Sequence, residues 1–262
     1  MAKTVGVSKS SVSAEAIEAS EEELRQLCER HWDEVELLVI YLDGVIFGAH
    51  RVLAAVGVDD GGNKHVLGIA EGASENQVVA QGLLGRLVAQ GVDPKRHYLF
   101  VIDGSKALRA AIDAVFGGEN PVQRCRHHKI ENVMGYLPKH LKEQVQGDAR
   151  RVSPAGDRKD GAAGEAGAVA GAETSRCGGE PARRIIGDVH GEPAGLSPAL
   201  MRCLSSTNII ESPHRGVRLR TRRICRWRNG KMVLRWAAAA FLLTEGNFQK
   251  IQGYRDRAGG LK

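Results

Sequence analysis

Residues 35–44 read Val35-Glu36-Leu37-Leu38-Val39-Ile40-Tyr41-Leu42-Asp43-Gly44. Leu37 to Leu42 form an unbroken apolar and aromatic run, short enough for a strand and continuous enough to be buried on both faces. An acid closes the run. This places Asp43 at the strand's end, where a sheet meets solvent, and Gly44 then lets the chain turn or a ligand approach. Taken alone, the pair also reads as a turn-forming Asp-Gly between two strands.

A second copy of the pattern shifts the balance. His97-Tyr98-Leu99-Phe100-Val101-Ile102-Asp103-Gly104 is another apolar run ending in Asp-Gly, and Ser105-Lys106-Ala107-Leu108 opens a helix. Two strands that deliver two carboxylates to one sheet end point to a site for Mg²⁺ or Mn²⁺, because hard cations take oxygen ligands and keep waters for substrate phosphates. A third acid would complete such a site.

The segments around these two runs fix the topology. Ser20 caps a helix running to about Trp32, with Glu23 at the capping-box position and acids in the first turn. After the first run, Val45 to Gly48 and Arg51 to Val58 continue in extended character. Asp59-Asp60-Gly61-Gly62-Asn63 supplies hairpin chemistry, and Lys64 to Ala70 makes a third strand. Ser74 to Gln90 is an amphipathic helix capped by Ser74 and closed by Gly91. The Asp103 strand, a helix with Leu108, Ile112 and Val115 at helical spacing, and a short fifth strand at Pro121 to Cys125 follow. Strand, strand, strand, helix, strand, helix, strand is the order of a ribonuclease-H-like domain, an α/β mixed sheet flanked by helices. There the first and fourth strands are neighbours, so Asp43 and Asp103 converge.

Beyond the fifth strand, Arg126 to Val133 enters a helix ending near Pro138. Cys125 and His128 have C-x-x-H spacing, but no second Cys/His pair follows at zinc-ligand distance, which favours a structural or substrate-contacting role. Residues 147–195 contain no Leu, Phe, Tyr, Trp or Met and are rich in Gly, Ala and Arg. Such a low-complexity insert cannot bury enough apolar surface to offset its ordering entropy and reads as disordered. Order returns at Leu196. Glu211 then sits on a helix, with Arg215, Arg218 and Arg222 at i+4, i+7 and i+11 on its face or beside it. Trp227 and Trp236 bracket the start of a final core helix. At the opposite end, Gly6 to Ser13 has the small, hydroxyl-rich pattern either of a recognition-helix start or of an ordinary Ser-capped helix.

Charge is distributed unevenly. The 262 residues carry 37 Lys and Arg against 31 Asp and Glu, a formal +6, yet Ser212 to Arg228 holds seven arginines and no acid: Arg215, Arg218, Arg220, Arg222, Arg223, Arg226 and Arg228. A polyanion is the partner this implies. Five scattered cysteines are an odd number with no framework spacing, which fits a reducing cytosol. The longest apolar run near the end, Trp236 to Leu243, is too short to span a bilayer, and no signal-peptide pattern opens the chain.

Tyr41-Leu42-Asp43-Gly44, Val101 to Leu108, Arg124-Cys125-Arg126-His127-His128-Lys129, and Thr207-Asn208-Ile209-Ile210-Glu211-Ser212 followed by Arg218 to Arg223 resemble the Mutator-type family of bacterial insertion-sequence transposases, over residues 5–146 and 196–256. The resemblance implies a D-D-E triad of Asp43, Asp103 and Glu211 holding two Mg²⁺ (or Mn²⁺) ions. It makes Cys125 and His128 the family's C-x-x-H element, and the seven arginines a grip on double-stranded DNA at element ends and target. It implies cleavage followed by strand transfer, a homo-oligomer that synapses two ends, and a cytoplasmic, nucleoid-associated protein. The corresponding domains are a remnant of an N-terminal helical DNA-binding region at 1–33, a first part of the catalytic core at 34–146, the insert at 147–195, the remaining core helices at 196–252 and a tail at 253–262. Set against that family, the short N-terminal region and an insert composed like a stretch translated in a shifted frame would make this chain a degenerate copy that keeps all three acids. Two other readings stay open, a non-catalytic DNA-binding remnant and a ribonuclease-H-like nuclease that cleaves without joining.

Overall fold

The computed structural model describes residues 8–73, 76–125, 128, 134–138, 203–204 and 207–254. The proposed insert at 147–195, the Ser74 cap, Gly6, Val7 and most of the expected 126–138 helix lie outside them. Five strands build one mixed sheet: β1 (Leu37–Phe47), β2 (His50–Asp59), β3 (Lys64–Glu71), β4 (Leu99–Ile102) and β5 (Val122–Arg124). Their spatial order is β3-β2-β1-β4-β5. β1 pairs antiparallel with β2 and β2 with β3, whereas β1–β4 and β4–β5 are parallel. This is the α/β, ribonuclease-H-like arrangement expected, with the first and fourth strands side by side.

The hydrophobic pattern explains how the sheet is covered. Side chains alternate across a strand. Val39, Tyr41, Val45 and Phe47 of β1 join one buried cluster, and Ile40 and Leu42 join the other. The first cluster is completed by α1 (Lys9–Cys28), α4 (Asn208–Thr221) and α5 (Gly230–Glu245), through Leu27, Ile210, Val217 and Phe241. On the opposite face lie α2 (Gln77–Ala89) and α3 (Lys106–Phe116), contributing Leu83, Leu84, Leu87, Leu108 and Ile112. Asp43 and Asp103 share the parity of Tyr41 and Val101, so both belong to the α4 side of the sheet. Arg30 fastens the end of α1 to α5, meeting Glu245 at 2.6 Å, while Glu245 also accepts the Val66 backbone N–H at 2.6 Å.

Four expectations are corrected. Asp43 does not end β1: the strand continues to Phe47, and Asp43 pairs with Ala54 of β2. It is an end only on the β4 side, where parallel pairing stops at Leu42 and Ile102. The chain reverses after Phe47, with Gly48 at φ +60°, so the Asp43-Gly44 pair is not the hairpin turn. Ser20 is not a cap but an interior residue of α1, buried, its Oγ bonded back to the Ile17 carbonyl at 2.9 Å. The cap is Ser8, whose side chain accepts the Ser11 N–H. α2 is capped by Asn76, which accepts the N–H groups of Val78 and Val79.

Candidate functional site

Each acid is carried by a different element. Asp43 stands inside β1 with only 7 % of its surface exposed. Asp103 follows the last residue of β4 and accepts the Ser105 N–H at 2.7 Å. Ser105 in turn caps α3 by accepting the Leu108 N–H. Gly104 between them has φ +96°, and a Cβ there would run into the Arg124 side chain, so both conformation and space call for glycine. Glu211 lies in the first turn of α4, where a carboxylate suits the positive end of the helix dipole.

These elements enclose a cleft of about 630 Å³. Asp43 and Gly44 line it from the sheet, His128 from beyond β5, and Asn208, Glu211, Ser212, His214, Arg215 and Arg218 from α4. Asp103 is not part of the lining, but its charge reaches Asp43. Burial, above all, pushes the Asp43 carboxyl up to about 6; Asp103 and Glu211 push the same way, while His128 and the Gly44 N–H oppose. The three carboxylates therefore share one electrostatic environment. Among the described residues, however, no three His, Cys, Asp or Glu side chains lie close enough together to hold one ion as they stand. The donors themselves are of the right kind, since all three are hard oxygen ligands.

His214 was not anticipated. It is 1 % exposed, its Nδ1 stands 3.4 Å from Asp43 Oδ2, and its ring meets Phe241 edge-on with centroids 5.9 Å apart. The spacing is that of an ion pair, but burial, reinforced by Arg218 and His128, holds the imidazole down at about 3, so it is neutral. Its position three residues after Glu211, on the same helical face, was the available signal.

The C-x-x-H element joins the site from the other side. Cys125 is fully buried, its N–H bonded to the Ile102 carbonyl at 2.7 Å. Its sulfur stands 3.2 Å from the Thr207 hydroxyl and accepts N–H groups from Thr207 at 3.3 Å and His128 at 3.5 Å. Burial works to raise the thiol's pKa, but hydrogen bonds from His128 and Thr207 outweigh it and leave the pKa lowered. Cys125, in turn, is the main cause that lifts His128 to about 9, with burial opposing and Asp43 and Asp103 assisting. His128 is thus a fixed positive charge on the cleft at neutral pH.

The arginines divide in two. Arg215, Arg218 and Arg220 are on α4, and Arg220 donates to the Leu243 carbonyl at 3.1 Å. Arg222 caps the helix's end instead of extending the Glu211 face, and Arg223, Arg226 and Arg228 occupy the segment that leads to α5. All seven are exposed. Trp227 packs on the β1–β2 hairpin tip, with Phe47 edge-on at 5.2 Å and Gly48 beneath it.

A family model described as "Transposase, Mutator family" matches residues 1–175. The match takes in Asp43, Asp103, Cys125 and His128 and the first part of the glycine-rich stretch, and it ends before Glu211 and the arginines. No curated protein matches the chain.

Proposed function

Because this chain belongs to the Mutator family of transposases, whose membership implies DNA as a partner, we propose that it is a metal-dependent DNA transposase with Asp43, Asp103 and Glu211 as the ligands of Mg²⁺ or Mn²⁺. The observation that carries this reading is the burial of Asp43 in a cleft where Asp103 and Glu211 both act on its charge. When bound, the cations would supply Lewis-acid activation of a water or a DNA 3′-hydroxyl for attack on a phosphodiester. Hydrolysis would free the ends of the element, and strand transfer would join them to a target.

The chain's own groups account for the rest of the site. Arg215 and Arg218 stand on the cleft wall, where guanidinium groups bind backbone phosphates and set the register of a duplex without reading its sequence. Neutral His214 stands against the Asp43 carboxyl, 3.4 Å away, and adds no charge there. Protonated His128 offsets part of the repulsion among the acids. Joining two element ends requires at least two copies of the site, so the working form is an oligomer.

The test is nicking of a labelled duplex in Mg²⁺ by the purified chain and by Asp103→Ala. The substitution is expected to bring nicking down to background, and equal signals would remove the enzymatic reading. Pre-cut ends then separate a transposase, which joins them to a second duplex, from a nuclease, which does not. A second reading, DNA binding without cleavage, draws on the finding that the acids are not gathered around one point among the described residues. It expects Asp43→Ala to change no DNA-dependent property.

A further inference from the structure

Thr207 precedes the first residue of α4, a position where a threonine hydroxyl ordinarily accepts a backbone N–H of its own helix. This one does not. Its side chain makes no capping bond, and its backbone, at φ −76° and ψ 10°, is not in the extended conformation usual there. The residue is fully buried, and its hydroxyl donates to Glu211 Oε1 at 2.9 Å. On its other side stands the Cys125 sulfur, at 3.2 Å. A hydroxyl has one hydrogen, and with that hydrogen committed to Glu211 the thiol is left as donor to the hydroxyl oxygen. The sulfur is itself fixed by the Thr207 and His128 N–H groups. A continuous chain of contacts therefore runs from the end of β5, beside β4, to one oxygen of the Glu211 carboxylate.

A carboxylate that binds a cation is commonly held by a hydrogen bond on its second oxygen, and losing that partner typically weakens metal affinity about 10–100-fold. We propose that Thr207, seated on Cys125, is the positioning residue of Glu211, fixing one carboxylate oxygen so that the other is available to a divalent cation. The pair of Cys125 and Thr207 links the sheet end that carries Asp103 to the helix that carries Glu211. This gives the C-x-x-H cysteine a mechanical task distinct from metal binding. The inference rests on the reading of Asp43, Asp103 and Glu211 as cation ligands.

The test is Mn²⁺ binding to the full chain, followed by the loss of the free-ion electron paramagnetic resonance signal, with no DNA present. Thr207→Val keeps the shape and removes the hydroxyl; it is expected to weaken Mn²⁺ binding about 10-fold or more. Thr207→Ser restores the hydroxyl and is expected to bind within about twofold of the wild type, a rescue that a packing role would not produce. Glu211→Gln serves as the reference. If Thr207→Val binds as tightly as the wild type while Glu211→Gln is weakened, the positioning role falls and the ligand reading stands. Absence of binding by the wild type, or no effect of Glu211→Gln, overturns both. Should Thr207→Val lose cooperative melting, the same contrast is read from Cys125→Ala, expected to weaken binding several-fold, against Cys125→Ser, expected to retain it. Equal affinities in that pair overturn the proposal.

Discussion

At the scale of single residues, the buried Asp43 carboxyl has a cost that can be measured. Its pKa in the fold, about 6, exceeds the ordinary 3.8, so the protonated form is the one the fold favours. That contribution is fully present below about pH 4 and is lost as pH rises through about 6, and the difference corresponds to roughly 3 kcal/mol. In metal-free buffer the melting temperature of the wild type is expected to fall across this window more than that of Asp43→Asn. Near pH 7.5 Asp43→Asn should melt roughly 5–10 °C higher; superimposable pH profiles of the two would contradict it. Asp43 and Asp103 stand out in the sequence as candidates because each closes an apolar run, a local pattern. His214 and Thr207 could not be assigned in the same way. Their roles depend on what α4 packs against, which spacing alone does not reveal.

At the scale of elements, α5 covers the face of the sheet that carries the acids. Phe241 is fully buried there and braces the His214 ring. Phe241→Ala is expected to destabilise the fold by about 3–5 kcal/mol, seen as a lower urea midpoint with an unchanged slope. A slope that changes, or a midpoint that does not move, would argue against this packing. Strand identities and their order were legible because period and turn chemistry are local. Element limits were not. The Ser-Glu-Glu-Glu pattern at Ser20 looks like a helix start, yet tertiary packing of Leu24 and Leu27 carries one helix through it. β1 outlasts its apolar run because β2 supplies a partner as far as Phe47, and no local signal records the length of a distant partner.

For the whole molecule, the formal charge of +6 understates the local field, since the seven exposed arginines cluster along the second half of α4 and in the segment after it. Binding to a duplex, followed by fluorescence anisotropy, is expected to weaken steeply with salt. Replacing Arg222, Arg223 and Arg226 by Ala should lower the log–log salt slope by about 1 for each phosphate contact removed. An unchanged slope would place the duplex elsewhere. No helix among the described residues is long and apolar enough to cross a membrane. The convergence of Asp43 and Asp103 could be anticipated from topology, whereas the seat of Glu211 depends on a helix that returns to the sheet from far along the chain. The continuity of β1 past Asp43 has one more effect. The strand runs without a break to Phe47, against which Trp227 of the arginine-bearing segment is lodged. Extended backbone advances about 3.3 Å per residue and barely stretches, so these four residues act as a ruler of about 13 Å. On the proposed function, a duplex gripped beside Trp227 would meet the Asp43 carboxylate at a set offset, close to four nucleotide steps of 3.4 Å along one strand.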